Sequence, residues 1–140
     1  MDQHLHLVTL GVSDLEVSKK FYTETLGWQI SRPQEGVAFF QAGGVVLVLF
    51  PREELAKDAL ISSEGNRFAG ISLAYNAQSE AEVDEIISDL KAKGVKILKE
   101  PQKVFWGGYS SYFADPDGYP WEVAYNPFFP FDENGNLKLD

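Results

Sequence analysis

Two stretches of this chain follow the same plan, and a chain that repeats itself must fold as two like units sharing one core. Ser13-Asp14-Leu15-Glu16 has the S-x-x-E spacing of a capping box. The spacing predicts a helix running through Val17, Phe21, Tyr22 and Leu26 and ending at Gly27, the residue best suited to a left-handed C-terminal position. Ser79-Glu80-Ala81-Glu82 repeats the signal, followed by Val83, Ile86, Ile87 and Leu90 at helical spacing and then by Gly94.

A strand-like segment of period two precedes each helix. In Leu7 to Val12 the larger apolar set is Val8, Leu10 and Val12, and in Gly70 to Tyr75 it is Ile71, Leu73 and Tyr75. These sets suit the sheet face that a helix covers. Leu7, Thr9 and Gly11, with Gly70, Ser72 and Ala74, would line whatever the sheet encloses. Further strands are predicted at Gln29–Arg32, Val37–Gln41 and Val45–Phe50, and again at Lys96–Leu98, Ser110–Ala114 and Trp121–Tyr125. Gly43-Gly44 and Asp117-Gly118 supply the tight turns. Each half reads β-α-β-β-β, which predicts an α+β fold of two tandem modules forming a curved mixed sheet around a pocket. The duplication implies two sheets closing on each other about a pseudo-twofold axis. The expected organisation is a single domain over 1–140: module one about 5–50, a connector 51–67 with a helical turn at Arg52–Ala59, module two about 68–126, and a tail 127–140.

Composition narrows the function. A net charge of −9 without any basic cluster disfavours nucleic acid and anionic membranes as partners. The absence of cysteine removes disulfides, thiolate metal sites and cysteine nucleophiles, and fits a cytoplasmic setting. Met1 to His6 lacks the basic-then-apolar order of a secretory signal, and no apolar run reaches the ~18 residues of a membrane span.

The opening L-V-T-L-G-V-S-D-L-E-V-S-K-K-F-Y-T-E-T-L-G-W and the closing Y-F-A-D-P-D-G-Y-P-W-E-V resemble the vicinal oxygen chelate superfamily, the group of glyoxalase I, extradiol dioxygenases, fosfomycin-resistance enzymes and bleomycin-resistance binding proteins. The resemblance reaches to about Asn126 and implies the duplicated fold, a homodimer, and either metal chemistry or simple binding. In metal-dependent members the ligands come from the first and last strands of each half. Carried over, the first histidine position falls on Leu7 and the second on Gly70, the Val45–Phe50 strand holds no donor, and Glu122 alone matches. One carboxylate does not hold a catalytic metal, so no metal or other cofactor is expected. His4 and His6 read as a solvated N-terminus.

Among the remaining candidates, Glu122 would be a general base or ligand anchor if it points inward, or a polar residue satisfied by Ser, Thr or Tyr groups. In Phe105-Trp106-Gly107-Gly108-Tyr109, Trp106 and Tyr109 offer faces for stacking and the glycines let the backbone approach a ligand; alternatively Trp106 plugs the barrel mouth over a glycine bulge. Tyr112, Thr9 and Ser72 could add hydroxyls. Asp115-Pro116-Asp117-Gly118 reads as a turn, and Phe39, Phe40, Leu47 and Leu49 as core or pocket wall. In the tail, Pro127-Phe128-Phe129-Pro130-Phe131 should bury against the chain's own sheet or a second subunit, with a turn at Asp132–Asn136, not a calcium loop, and a short strand Leu137–Leu139. The sequence favours a protein binding a small planar or hydrophobic molecule in an aromatic pocket without a metal. Two alternatives stay open: a metal-dependent lyase, isomerase or dioxygenase acting on a substrate with vicinal oxygens, and a structural dimer whose pocket is closed by side chains.

Overall fold

The computed structural model describes residues 1–25, 27–64, 68–114 and 118–139. Module one comprises β1 (Leu7–Val12), α1 (Leu15–Lys20) with a π-helical turn at Phe21–Thr25, β2 (Ala38–Ala42) and β3 (Val45–Pro51). A connecting helix α2 (Arg52–Asp58) leads to module two: β4 (Ile71–Asn76), α3 (Glu80–Ala92), β5 (Ile97–Lys103), β6 (Tyr109–Ala114) and β7 (Pro120–Tyr125).

The duplication is real, but the halves join differently from the sequence expectation of two opposed sheets. All seven strands form one sheet in the order β2-β3-β1-β4-β7-β6-β5. β1 runs parallel to β3, which pairs antiparallel with β2; β4 runs parallel to β7, which pairs antiparallel with β6. Left alone, β1 and β4 would each present a bare edge of N–H and C=O groups. They pair antiparallel instead, Leu7 opposite Ala74 and Thr9 opposite Ser72, and so satisfy both edges.

The helix starts show which polar group wins a cap. Asp14, not Ser13, caps α1, its carboxylate accepting from the Val17 N–H at 3.0 Å, while Glu16 pairs with Lys19. A charged oxygen at that position also favours the positive end of the helix. Ser79 caps α3 as expected, and Glu82 reaches back one residue further, to the Gln78 N–H at 2.7 Å. Val17 and Phe21, expected in the buried stripe, are 65 % and 50 % exposed. The π-helical turn shifts the register after Lys20, so that Leu15 and Tyr22 pack on the Phe40 and Leu49 cluster. The expected helix residue Leu26 lies outside the described residues, as do Asp115 to Asp117 of the expected turn.

Two strands depart from expectation. Gln29–Arg32 yields only a bridge from Arg32 to Phe39, and the Arg32 guanidinium lies over the Phe129 ring and donates to the Phe128 carbonyl at 3.0 Å. β5 runs well past Leu98 through Pro101, a residue tolerated on an edge strand, with register irregularities on both sides of Lys99.

Val83, Ile86 and Ile87 of α3 pack on Tyr75, Phe113 and Val123, which fixes one face of module two as the helix side. The opposite face of the sheet is closed in two different ways. Over module one the tail lies down, and Leu137, Leu139, Phe129 and Phe131 pack on Leu7, Phe39, Val46, Val48 and Ala74. The Gln41 side chain pins it, donating to the Leu137 carbonyl at 3.2 Å and accepting from the Leu139 N–H at 3.1 Å. The expected Leu137–Leu139 strand is a single bridge from Leu137 to Phe131, and Phe128 stays 62 % exposed. Next to this, α2 lies against β1 and β3, with Leu55 and Ala56 buried beside Phe68.

Candidate active site

The β4, β6 and β7 registers set the site. Glu122 stands beside Ala74 on one side and Tyr112 on the other, and Tyr112 beside Lys99 of β5. Alternation then puts Ser72, Ser110, Tyr112, Glu122 and Lys99 on the sheet face turned away from α3, with Thr9 opposite Ser72. The last residue of α2, Asp58, completes the group from above.

No buried side-chain polar atom in this cluster lacks a partner. Ser110 Oγ donates to Glu122 Oε1 at 2.7 Å, Lys99 Nζ donates to Asp58 Oδ1 at 2.8 Å, and the Tyr112 hydroxyl donates to Asp58 Oδ2 at 3.1 Å. Ser72 hydrogen-bonds Tyr112, and the Lys99 ammonium lies 5.0 Å from the centre of the Tyr112 ring. Ser72, Ser110, Tyr112 and Lys99 are buried, whereas Thr9, Asp58 and Glu122 keep partial contact with solvent.

The electrostatics follow from that packing. Solvent reaches part of Glu122, yet its carboxylate is surrounded by protein, and it is the packing at the carboxylate that governs ionisation. Burial pushes the Glu122 pKa up from 4.5 to about 7; the negative charge of Asp58 adds to this, and Ser110 and Lys99 oppose it. Tyr112 is driven well above its usual value, first by burial and then by the Glu122 and Asp58 charges, so it is a donor throughout the ordinary pH range.

The positions where the resemblance would put metal ligands do not fit a metal here. Leu7 is buried in the apolar cluster beneath the tail. The helix caps correct the second assignment: Leu7 stands seven residues before Asp14, and seven residues before Ser79 is Ser72, not Gly70. Gly70 instead holds a left-handed φ of 75° and lets the Arg52 guanidinium lie where a Cβ would be. Leu7, Ser72 and Glu122 offer one charged donor among them, and no group of three His, Asp or Glu side chains able to hold a metal occurs among the described residues.

His6 is no part of a frayed terminus. It is 2 % exposed, accepting at Nδ1 from the Asn76 N–H at 3.0 Å and donating from Nε2 to the Gly135 carbonyl at 3.0 Å. These two bonds require the neutral ring, and burial lowers its pKa.

Of the residues singled out in the sequence, Thr9, Ser72, Tyr112 and Glu122 share one face, and Trp106 and Tyr109 do not join them. Tyr109 points to the α3 side, where its hydroxyl donates to Asp84 at 2.9 Å. The Trp106 indole folds onto Gly108 in the β5–β6 turn, so closely that a Cβ there would lie 1.7 Å from the ring. Sequence reasoning missed Lys99 and Asp58. Lys99 had no signal, since unbroken alternation from Ile97, which packs on the α3 side, would put it on that side too, and only the register shift between the two turns it inward. Asp58 had none, because its place depends on how α2 docks. Two open recesses of about 760 Å³ beside the Asp132–Lys138 tail and about 520 Å³ beside Trp28–Ser31 lie elsewhere, and no buried ionisable side chain lines either.

Comparison with known proteins agrees with this architecture. A sequence model described as the Glyoxalase/Bleomycin resistance protein/Dioxygenase superfamily matches residues 4–123. The chain belongs to that superfamily. It is 28 % identical over 123 residues to the metallothiol transferase FosB of Staphylococcus saprophyticus, covering 88 % of this chain and 77 % of that protein. It is 30 % identical over 121 residues to an uncharacterised Bacillus subtilis protein, YqjT, covering 81 % and 91 %. A superfamily member from Vibrio splendidus superposes with a TM-score of 0.57 at 16 % identity, covering 88 % of this chain and all of that one, a likeness of fold alone. No helix among the described residues is long and apolar enough to cross a membrane.

Proposed function

We propose that this superfamily member takes a small organic molecule on the module-two part of the sheet face without a metal ion, and that Glu122 anchors the ligand or moves a proton to or from it. The observation that carries this reading is a carboxylate held by Ser110 beside Tyr112 on that face, in a residue that solvent reaches in part, with burial raising its pKa to about 7, where both protonation states are populated at neutral pH. The donor set supports the metal-free part: Leu7 is apolar, Ser72 is a neutral hydroxyl already bonded to Tyr112, and Glu122 has no imidazole beside it. Tyr112, Ser72 and Thr9 are proposed as polar contacts for the ligand. Trp106 and Tyr109 are better explained by the Gly108 turn and the α3 contact, so the ligand is held by polar groups more than by stacking. The reading includes a cytoplasmic homodimer, supported by the absence of cysteine and by exposed Phe21 and Trp28 on one side of module one.

Two measurements test it. Calorimetric titration with Zn²⁺, Mn²⁺, Ni²⁺ and Fe²⁺ should give no tight stoichiometric binding, and a micromolar site lost in Glu122→Gln would overturn the metal-free reading. A carboxyl ¹³C titration should place Glu122 near neutrality; an ordinary glutamate value would remove its proposed role.

A further inference from the structure

We propose that the Lys99 ammonium and the Tyr112 hydroxyl form a receptor for the carboxylate of a small ligand, and that Asp58 occupies this receptor as a stand-in from the protein's own chain. The inference deepens the proposed function by naming the ligand class, and it rests on that reading for the location of the site.

A single carboxylate bridges the receptor, one oxygen on Lys99 Nζ at 2.8 Å and the other on the Tyr112 hydroxyl at 3.1 Å. That is how a ligand carboxylate would be held, by a charge-assisted donor and a neutral one on its two oxygens. The receptor is rigid and enclosed: Lys99 and Tyr112 sit on neighbouring strands and are 4 % and 2 % exposed. Its occupant is neither, because Asp58 ends the seven-residue α2 and its side chain is 36 % exposed. As a device for stability alone the arrangement is poor, since burying an ammonium carries a desolvation penalty that an ion pair with one half-open partner offsets badly.

The backbone beyond Asp58 ends α2 in a cap, the Leu60 and Ile61 N–H groups donating to the Lys57 and Ala56 carbonyls at 3.2 and 3.0 Å. Leu60 holds a left-handed φ of 55° with its side chain 63 % exposed. For a non-glycine residue that conformation is strained, which offsets part of what the cap bonds contribute to holding the end of α2. The exchange is also neutral in charge. When a ligand carboxylate enters as Asp58 leaves, Lys99 keeps one anionic partner and Glu122, beside Tyr112 in the sheet, keeps the same neighbouring charges.

Acetate, pyruvate and benzoate, with benzamide as the uncharged control, would be titrated by NMR into the parent protein and into Asp58→Asn, Asp58→Ala and Asp58→Asn/Lys99→Met. Thermal melting would confirm that each is folded, and two Asp58 variants guard against one that is not. If Asp58 fills the receptor more than nine-tenths of the time, its removal tightens carboxylate binding at least ~tenfold. We expect that gain for at least one carboxylate in both Asp58 variants, its loss with Lys99→Met, and no binding of benzamide. Folded Asp58 variants that bind no carboxylate, bind as weakly as the parent, or bind equally well without Lys99 would overturn the proposal. Glu122 would still titrate near neutrality in that case, which separates this failure from a failure of the proposed function.

Discussion

Replacing Glu122 by glutamine should stabilise the protein at alkaline pH and do little at acid pH. The folded state holds the Glu122 proton more tightly than the unfolded chain, with a pKa of about 7 against 4.5. For a carboxyl raised on folding, the favourable contribution is complete below the unfolded value and is lost as pH rises through the folded one. At ~1.4 kcal/mol for each tenfold change in proton affinity, the gap corresponds to ~3 kcal/mol once both states are ionised. Glutamine keeps the oxygen that accepts from Ser110 Oγ and removes only the charge. Urea unfolding of the parent and Glu122→Gln across the acid to mildly alkaline range isolates the effect, because the other titrating groups cancel in the difference. The variant's advantage should grow from near zero to a plateau of a few kcal/mol above neutrality. A difference independent of pH, or a variant less stable at alkaline pH, would refute the argument from burial.

Three further outcomes follow from the packing. Ending the chain at Asn126 uncovers Leu7, Phe39, Val46 and Val48 and removes Leu137 and Leu139, each worth ~1.5–3 kcal/mol when fully buried; denaturant unfolding should show a loss above ~3 kcal/mol, with new binding of a hydrophobic dye. Gly108→Ala pushes a methyl into the Trp106 ring and should cost ~1–3 kcal/mol, with a changed indole fluorescence. For His6 the sign is opposite to that of Glu122. Its folded pKa lies below 6.5, so its contribution is complete above 6.5 and falls as pH drops through the folded value. His6→Phe should flatten the acid limb of the stability profile while lowering the plateau.

The fold was legible because it is written in local signals: two capped helices, alternating strands and Gly turns recur in the same order. The joining of β1 to β4 was not, since strand edges carry no side-chain code for which edge they meet. Half the site was readable for the same reason, as alternation alone turns Thr9, Ser72, Tyr112 and Glu122 the same way. The other half depends on tertiary choices. Tyr109 looks like a neighbour of Glu122 in an aromatic loop, yet a residue one place from Ser110 must face the other side of the sheet. His6 looked like frayed terminus because its partners, Asn76 and Gly135, lie 70 and 129 residues away in sequence.

The two halves also show how one scaffold can diverge from its own copy. Related strands present related faces, but what lies on them differs in kind. Over module one the tail brings Leu137, Leu139 and Phe131, and the face beneath is apolar, with Leu7 and Val48 in the cluster. Over module two only the last residue of α2, Asp58, reaches across, and the face beneath carries Ser72, Ser110, Tyr112, Lys99 and Glu122. Burial of an apolar surface under an apolar segment is stable without further partners, while a buried ammonium and carboxylates are tolerated only where every group is bonded. The polar half is therefore the half whose groups must each find a partner, and the Lys99 ammonium supplies fixed positive charge there from the chain itself.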